Sequence, residues 1–282
     1  MSKVWFITGS TRGLGRALVE AALRAGHRVA ATARNPDGLR DLVATYGPAI
    51  LPFPLDITDA DAAQAALAAT VTTFGRIDVV VNNAGYGNIG SVEDTTLAEF
   101  RRQIETNLFG TIIVTKAAIP FLRSRRSGHI IQVSSVGGRV GAPGRAPYSA
   151  AKWGVEGFSE VLAREMALIG VAVTILEPGG FRTDFAGAST ILDAGRPEYD
   201  SVVGAAARMQ QAYDGRQPGD PARAAAAILT LAEMPEPPLR LALGSDAFHA
   251  ILTAEQARHE DMLRWEDLSL STDFPQNGPE KS

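Results

Sequence analysis

The sequence predicts a single α/β domain in which a parallel, doubly wound sheet of seven strands has helices on both faces. Three observations lead to this fold class. Short runs of β-branched and other apolar residues alternate with longer helical segments. The first six runs are almost continuously apolar, as expected of strands that are buried on both faces. No linker or internal repeat divides residues 1–180.

Each element is predicted from one of these segments. The strands are expected at residues 4–8, 28–33, 50–54, 77–82, 129–134, 172–177 and 239–243. The helices between them are expected at residues 13–25, 37–46, 59–74, 97–123 and 148–169. Gly26 follows the first helix and is expected to end it in a left-handed conformation.

The pattern is less regular beyond residue 178. Residues 180–215 combine glycine, threonine and scattered aromatic residues, which predicts a loop with short helices over the carboxyl edge of the sheet. Another helix is expected at 222–232. We assign the domain to residues 1–245 and expect a helical extension at 246–282, with a frayed polar tail from residue 273.

Composition excludes several classes of function. The net charge is −4 and no segment is rich in Lys or Arg, so neither nucleic acid nor an anionic membrane is an expected partner. The chain has no Cys and only 4 His, which excludes disulfides and argues against a metal site. No apolar run has the length of a membrane span or signal peptide, so we expect a cytoplasmic protein. The abundance of Arg over Lys and of Ala suggests a bacterial source.

A glycine-rich segment follows the first strand and opens the first helix. Residues 8–15 read Thr-Gly-Ser-Thr-Arg-Gly-Leu-Gly, with the spacing Gly-x-x-x-Gly-x-Gly. Glycine permits positive φ and a close approach of the backbone. The start of a helix offers unpaired N–H groups and a partial positive charge to a pyrophosphate. The segment therefore predicts a dinucleotide site.

The end of the second strand indicates which dinucleotide is bound. An NAD site has an acidic residue there, which binds the ribose hydroxyls. This sequence has Ala33 and Arg34 instead. Arg34 and Arg12, with the hydroxyls of Ser10 and Thr11, could bind a 2′-phosphate through charge-assisted hydrogen bonds. We therefore expect NADP(H) to be preferred over NAD(H).

A second cluster lies at the start of the fifth predicted helix. Tyr148 and Lys152 are four residues apart, so a helix places them on one face. A positive charge beside a phenol stabilises the phenolate and lowers its pKa, so the pair predicts a tuned proton donor. Ser135 lies thirteen residues before Tyr148, at the end of a predicted strand.

In their order along the chain, these motifs resemble those of the short-chain dehydrogenase/reductase family. The resemblance covers about residues 3–245 and implies a Rossmann-like fold. It rests on the loop 8–15, Asp56, the run Asn82-Asn83-Ala84-Gly85, Asn107, Ser135, Tyr148, Lys152, Pro178, Gly179 and Thr183.

The resemblance implies a cofactor site that extends from the pyrophosphate to the nicotinamide. The implied cofactor residues are Gly9, Ser10, Thr11, Arg12, Gly13, Leu14 and Gly15 in the loop, Arg34 at the 2′-phosphate, Asp56 and Ile57 at the adenine, Asn83, Ala84 and Gly85 at the ribose, and Pro178, Gly179 and Thr183 at the nicotinamide carboxamide. Tyr148 and Lys152 would complete this site.

The implied chemistry is hydride transfer between the cofactor and a carbonyl compound or alcohol, with the protein supplying orientation and a proton. Ser135 would donate a hydrogen bond to the carbonyl oxygen, and Tyr148 would deliver the proton. Lys152 would lower the Tyr148 pKa and bind the nicotinamide ribose, and Asn107 would hold a water that leads to solvent. Of the adjacent Ser134 and Ser135, the spacing usual in the family favours Ser135.

The substrate is predicted only by class. The expected pocket comes from residues 137–146, the stretch after residue 85, and residues 180–215. These segments are mostly apolar, which favours a hydrophobic carbonyl compound, although Arg139, Arg145 or Arg182 could bind an acidic group. The resemblance also favours a homodimer or homotetramer that packs through the helices at 97–123 and 148–169.

Two alternative functions stay open at this point. An NADP(H)-sensing binding protein could use the fold without catalysis, but such a protein would be expected to lose the Tyr or the Lys. A sugar-nucleotide epimerase or dehydratase typically has Thr-Gly-x-x-Gly-x-x-Gly and a larger C-terminal domain, and the glycine spacing here differs from that pattern.

Overall fold

The computed structural model describes residues 2–185, 187, 190–193 and 195–274. In chain order the strands are β1 (Val4–Thr8), β2 (Arg28–Ala33), β3 (Ile50–Pro54), β4 (Val79–Asn82), β5 (Gly87–Ile89), β6 (Gly128–Val133), β7 (Val171–Pro178), β8 (Thr190–Leu192) and β9 (Arg240–Leu243). Seven of them form a parallel sheet in the order β3-β2-β1-β4-β6-β7-β9, and β5 pairs with β8 separately. The order reverses between β1 and β4, which creates a crevice at the carboxyl ends of these strands.

The helices lie between the strands and after the last of them. They are α1 (Gly13–Arg24), α2 (Arg40–Tyr46), α3 (Ala60–Phe74), α4 (Leu97–Ile104), α5 (Gly110–Arg125), α6 (Ala146–Ala167), α7 (Ala205–Tyr213), α8 (Pro221–Glu233), α9 (Ser245–Arg264) and α10 (Glu266–Leu270). Each helix in the described part of the chain is too short or too polar to cross a bilayer.

Alternate residues of β1 explain why the strands are continuously apolar. Trp5 and Ile7 point into a core that α1 and α8 cover, whereas Val4 and Phe6 point into a second core beneath α3, α5 and α6. Successive side chains of a strand point to opposite faces, so a strand between two cores has no solvated side. The doubly wound α/β fold is thereby confirmed.

Most predicted elements agree closely with the structure. β1, β2 and β3 have the predicted bounds, and the other four strands of the large sheet are shifted by at most two residues at either end. Gly26 ends the first helical segment as expected, since its φ is 80° and its N–H donates to the Leu23 carbonyl at 3.0 Å. The tail from residue 275 lies outside the described residues.

Three features differ from the prediction. The short pair β5 and β8 was not expected, because three-residue strands carry too little pattern to be detected. The helix predicted at 97–123 contains a π-helical turn at Glu105–Phe109 and continues to Arg125. α6 begins at Ala146, two residues before Tyr148, because Pro147 can occupy the first turn of a helix.

Candidate active site

A cavity of about 770 Å³ lies at the carboxyl ends of the central strands. Its walls are the segments that follow β1, β2, β3, β4, β6 and β7, together with the first turn of α6 and parts of residues 180–217. The fold therefore brings together segments that are far apart in the sequence. Most of the predicted site residues lie on these walls; Ser10, Gly15 and Asn107 lie behind them.

The glycine loop depends on close backbone contact. Gly9 and Gly13 have positive φ angles of 68° and 59°. A Cβ atom on Gly15 would lie 2.2 Å from the Gly9 carbonyl oxygen, so α1 can start this close to β1 only with glycine there. The Asn83 amide fastens the loop by donating to the carbonyls of Thr8 and Gly9 at 2.9 and 3.1 Å.

Replacing Gly15 by Ala should destabilise the fold by about 1–3 kcal/mol, the usual range for overpacking. The control is Gly157→Ala on α6, where no atom lies within 4 Å of the added methyl. That change should stabilise the protein by up to about 1 kcal/mol, because Ala is the better helix former. Urea unfolding followed by circular dichroism measures both. Equal free energies of unfolding for Gly15→Ala and the wild type would contradict the packing argument.

Ser10 cannot play the predicted role. Its side chain is fully buried, and its hydroxyl donates to the Ile7 carbonyl oxygen at 2.7 Å. Its backbone N–H donates to the Thr32 carbonyl at 3.0 Å. The prediction that the Ser10 hydroxyl binds a 2′-phosphate is therefore wrong, because the residue closes the turn after β1. The neighbouring Thr11 does line the cavity.

Arg12 and Arg34 line the same end of the cavity, and both are exposed. In the described part of the chain, neither guanidinium forms an ion pair with a carboxylate. Asp56 lies nearby and accepts hydrogen bonds from the Thr58 N–H and hydroxyl at 3.0 and 2.8 Å. The Thr58 N–H is the main cause of the lowered pKa of Asp56, and the charge of Arg34 adds to it. Both arginines are thus available to an anion.

The other end of the cavity is where Tyr148, Lys152 and Ser135 meet. Tyr148 and Lys152 are buried on the first two turns of α6. The Lys152 Nζ lies 5.8 Å from the centre of the Tyr148 ring and donates to the Val133 carbonyl at 2.7 Å. The Ser135 Oγ and the Tyr148 ring both lie within 3.5 Å of the place that a Cβ on Gly137 would take, so the two side chains are neighbours. The three predicted side chains therefore form one cluster.

The charge states in this cluster are set mainly by burial. Burial raises the pKa of Tyr148, while the Ser135 hydrogen bond and the Arg145 charge act in the opposite direction. Burial lowers the pKa of Lys152 to about 8, and the Glu156 carboxylate partly opposes this. The expectation that Lys152 lowers the Tyr148 pKa is not met. The ammonium is directed to the Val133 carbonyl, and the desolvation of the phenol dominates.

The two adjacent serines point to different partners. The Ser135 Oγ accepts from the Gly137 N–H at 3.0 Å and lies beside Tyr148. A Cβ on Gly138 would lie 2.5 Å from the Ser134 Oγ and 3.3 Å from the Glu156 Cγ, so these two side chains meet behind the cluster. This geometry favours Ser135 as the serine near the reacting atoms.

Asn107 lies in the π-helical turn and is fully buried. Its amide donates to the Tyr86 carbonyl at 3.0 Å and to the Gln103 side chain at 2.7 Å, and its Oδ1 accepts from the Tyr86 N–H at 3.2 Å. The side chain thus holds the backbone that follows β4. The water expected beside Asn107 stays a prediction.

The cavity is also lined by Pro178, Gly179 and Thr183, the residues predicted to contact the nicotinamide carboxamide. The Thr183 Cβ would lie 3.5 Å from a Cβ on Gly13, so this segment approaches the glycine loop. The Asp246 carboxylate accepts from the Gly180 N–H at 2.7 Å, which links the start of α9 to this segment.

Several wall residues were not predicted. They include Phe185, Gln210, Tyr213, Gln217 and Asp246. The first four belong to or border the segment predicted to cover the pocket, but no motif marks them individually. Asp246 was assigned to the C-terminal extension, and only the pairing of β7 with β9 brings it to the cavity. Residues 186, 188, 189 and 194 of the covering segment lie outside the described residues.

Comparison with known proteins agrees with this architecture. A family model described as short chain dehydrogenase matches residues 3–191. The oxidoreductase BOA17 of Botryotinia fuckeliana is 46% identical over 273 residues, which cover 96% of this chain and 100% of that protein. A short-chain dehydrogenase structure from Streptomyces avermitilis has a TM-score of 0.90 and 40% identity, covering 96% of this chain and 98% of that one.

A second solved structure carries a cofactor analogue. It is an alcohol dehydrogenase from Thermococcus sibiricus complexed with 5-hydroxy-NADP, with a TM-score of 0.70 and 27% identity. The match covers 86% of this chain and 96% of that chain.

Proposed function

Because the chain belongs to the short-chain dehydrogenase family of oxidoreductases, we propose that it is an NADP(H)-dependent enzyme that interconverts a ketone or aldehyde and an alcohol. The observation that carries this proposal is the cluster of Ser135, Tyr148 and Lys152 at one end of a cavity whose other end is a glycine loop. The cluster provides a proton and an oxygen-binding group where hydride chemistry would need them.

A dinucleotide phosphate would lie along the cavity. Gly9 and Gly13 have the positive φ angles that shape the loop around the start of α1, whose N–H groups would bind a pyrophosphate. Arg12 and Arg34 would hold the 2′-phosphate, and Asp56 and Ile57 would flank the adenine. The segments at 83–85 and 178–183 would hold the ribose and the carboxamide. The NADP analogue in the Thermococcus sibiricus relative supports this choice of cofactor.

Tyr148 would act as the general acid in the reduction of a carbonyl. Burial raises the pKa of this phenol above its ordinary value, so it is protonated at neutral pH. Ser135 and Tyr148 could both donate to the carbonyl oxygen as negative charge develops there. A bound nicotinamide supplies the hydride. Lys152 would bind the nicotinamide ribose, and Asn107 would position the segment beside it.

The simplest test is an assay of NADPH oxidation with a panel of ketones and aldehydes. Net oxidation of NADPH is the expected result. A cofactor-sensing protein would bind NADPH without consuming it, and an epimerase or dehydratase would return the cofactor unchanged. Absence of turnover across a broad panel, with NADPH binding intact, would contradict the proposal.

Ser135→Ala should lower kcat by about 10²-fold or more, because it removes a donor to the developing oxyanion. Ser134→Ala is the matched control, since Ser134 faces Glu156, and it should keep activity within a few-fold of the wild type. Steady-state kinetics on any carbonyl substrate from the panel compares them. The reverse order of effects would show that the wrong serine has been assigned.

We also propose a cytoplasmic homo-oligomer packed through α4–α5 and α6. Apolar side chains lie exposed on these helices, at Leu97 and Val161, and directly beside them, at Phe109 and Leu168. An association that buries them would remove their contact with water. Light scattering measures the mass in solution, and a mass equal to one chain of 29.8 kDa would contradict this proposal.

A further inference from the structure

Near Tyr148 the cavity wall carries several apolar side chains, the Gln210 amide and one cation. Val136, Val140, Ala142 and Phe185 line this part, and the Phe185 ring lies 5.8 Å from the Tyr148 ring. Arg145 enters from the turn before α6, and its guanidinium carbon lies 6.0 Å from the centre of the Tyr148 ring. A permanent positive charge therefore stands beside the proposed proton donor.

Arg145 differs from the other two arginines of this region. Arg139 is paired with Glu177 at 2.5 Å and with Glu255 at 2.6 Å. Arg182 donates to the Gln217 carbonyl at 2.7 Å and is exposed. Arg145 donates to the neutral Gln210 side chain at 2.7 Å, and no carboxylate of the described residues pairs with it.

This cation carries an uncompensated desolvation cost. Arg145 is partly buried, and burial lowers the pKa of its guanidinium. An amide and an aromatic ring solvate the charge but do not neutralise it. Guanidinium pairs best with planar anions such as carboxylates, through two parallel hydrogen bonds. The missing partner is therefore best supplied by a ligand in the cavity.

Given that the chain is the carbonyl reductase proposed above, we propose that Arg145 binds a carboxylate of the substrate. The substrate would then be an oxo acid. The carboxylate would lie within a few bonds of the carbonyl, because Arg145 and Tyr148 are in contact. In the reduction, the carbonyl carbon gains a hydride from NADPH, which becomes NADP⁺, and the carbonyl oxygen gains the Tyr148 proton. The carboxylate is unchanged.

The test compares acids with their neutral esters. The probes are phenylglyoxylate and 3-benzoylpropionate, each beside its methyl ester, and the variants are Arg145→Met and Arg145→Lys. The control is Arg216→Met, since Arg216 is exposed and lies outside the cavity wall. Wild type should favour at least one acid over its ester in kcat/KM by about tenfold or more, as expected for a charge-assisted contact.

Arg145→Met should lower kcat/KM for that acid by about ten- to a hundredfold and leave the ester within about threefold. Arg145→Lys should recover part of the loss, and Arg216→Met should change neither. Calorimetric titration of benzoate into the NADP⁺ complex gives a readout without turnover, and Arg145→Met should weaken this binding by about tenfold.

The outcomes separate the two proposals. Equal losses for acid and ester would show that Arg145 acts on Tyr148 or on the fold, which overturns the inference. A wild-type enzyme that reduces both esters at least as well as the acids also overturns it, while the proposed reductase function stands. Failure of the wild type to reduce any of the four probes, or the wider carbonyl panel, would overturn both.

Discussion

Replacing Tyr148 by Phe should lower kcat by about 10²–10⁴-fold, the range typical of general acid catalysis, and leave NADPH binding largely intact. The change deletes one hydroxyl and keeps the ring. The ring is buried and packs against Phe185 and Arg145, so these contacts and the shape of the cavity are preserved. Turnover is measured by NADPH absorbance and binding by titration of NADPH fluorescence.

Two further variants control this experiment. Lys152→Ala should weaken both turnover and NADPH binding, because Lys152 is proposed to bind the ribose as well. Tyr199→Phe should keep wild-type activity, since its hydroxyl donates to Glu93 outside the cavity wall. If Tyr148→Phe kept more than about a tenth of the wild-type kcat, the contribution expected of an acid catalyst would be missing.

NADPH should be preferred over NADH by at least about tenfold in kcat/KM, and the double variant Ala33→Asp, Arg34→Ala should reverse the preference. A hydrogen bond with a charged group contributes about 1.5–3 kcal/mol, or roughly 10- to 150-fold in affinity. The variant removes one guanidinium from the 2′-phosphate. It also adds a carboxylate that repels this phosphate and accepts from the ribose hydroxyls of NADH.

Kinetics with both cofactors at low ionic strength measure this reversal. Arg40→Ala is the matched control, because it removes a positive charge from the same surface at a residue whose guanidinium pairs with Asp37. That variant should keep the NADPH preference. A wild-type enzyme that prefers NADH would contradict the roles of Arg12 and Arg34 but would leave Tyr148 and Lys152 untouched.

The sequence predicted those parts of the fold that local pattern determines. The bounds of β1 and β2 could be found because a strand between two cores is almost continuously apolar, and here β1 is followed by Gly9 and β2 by Arg34. The meeting of Tyr148 and Lys152 was predictable because residues four apart lie on one face of a helix. The place of Ser135 beside them was predicted from the resemblance to the family.

Other features depend on contacts between distant segments. Ser10 was predicted to bind phosphate because it lies in the glycine loop. Only the folded turn shows that its hydroxyl donates a hydrogen bond to the Ile7 carbonyl oxygen. Asp246 reaches the cavity through the pairing of β9 with β7, which no local pattern signals. The direction of the Tyr148 pKa shift also needed the structure, because burial outweighs nearby charge.

The π-helical turn between α4 and α5 constrains the length of the chain more strictly than its composition. A π-helical turn bonds residue i to i+5 and so accommodates one residue more than an α-helical turn. Because the wide turn absorbs the extra residue, deleting one residue from Glu105–Phe109 would restore α-helical geometry and leave the flanking helices in nearly the same orientation. Val114, Ala118 and Leu122 would still face the core, whereas Asn107 would lose the position from which it holds the Tyr86 backbone. The length of this turn is therefore set by the site rather than by the core.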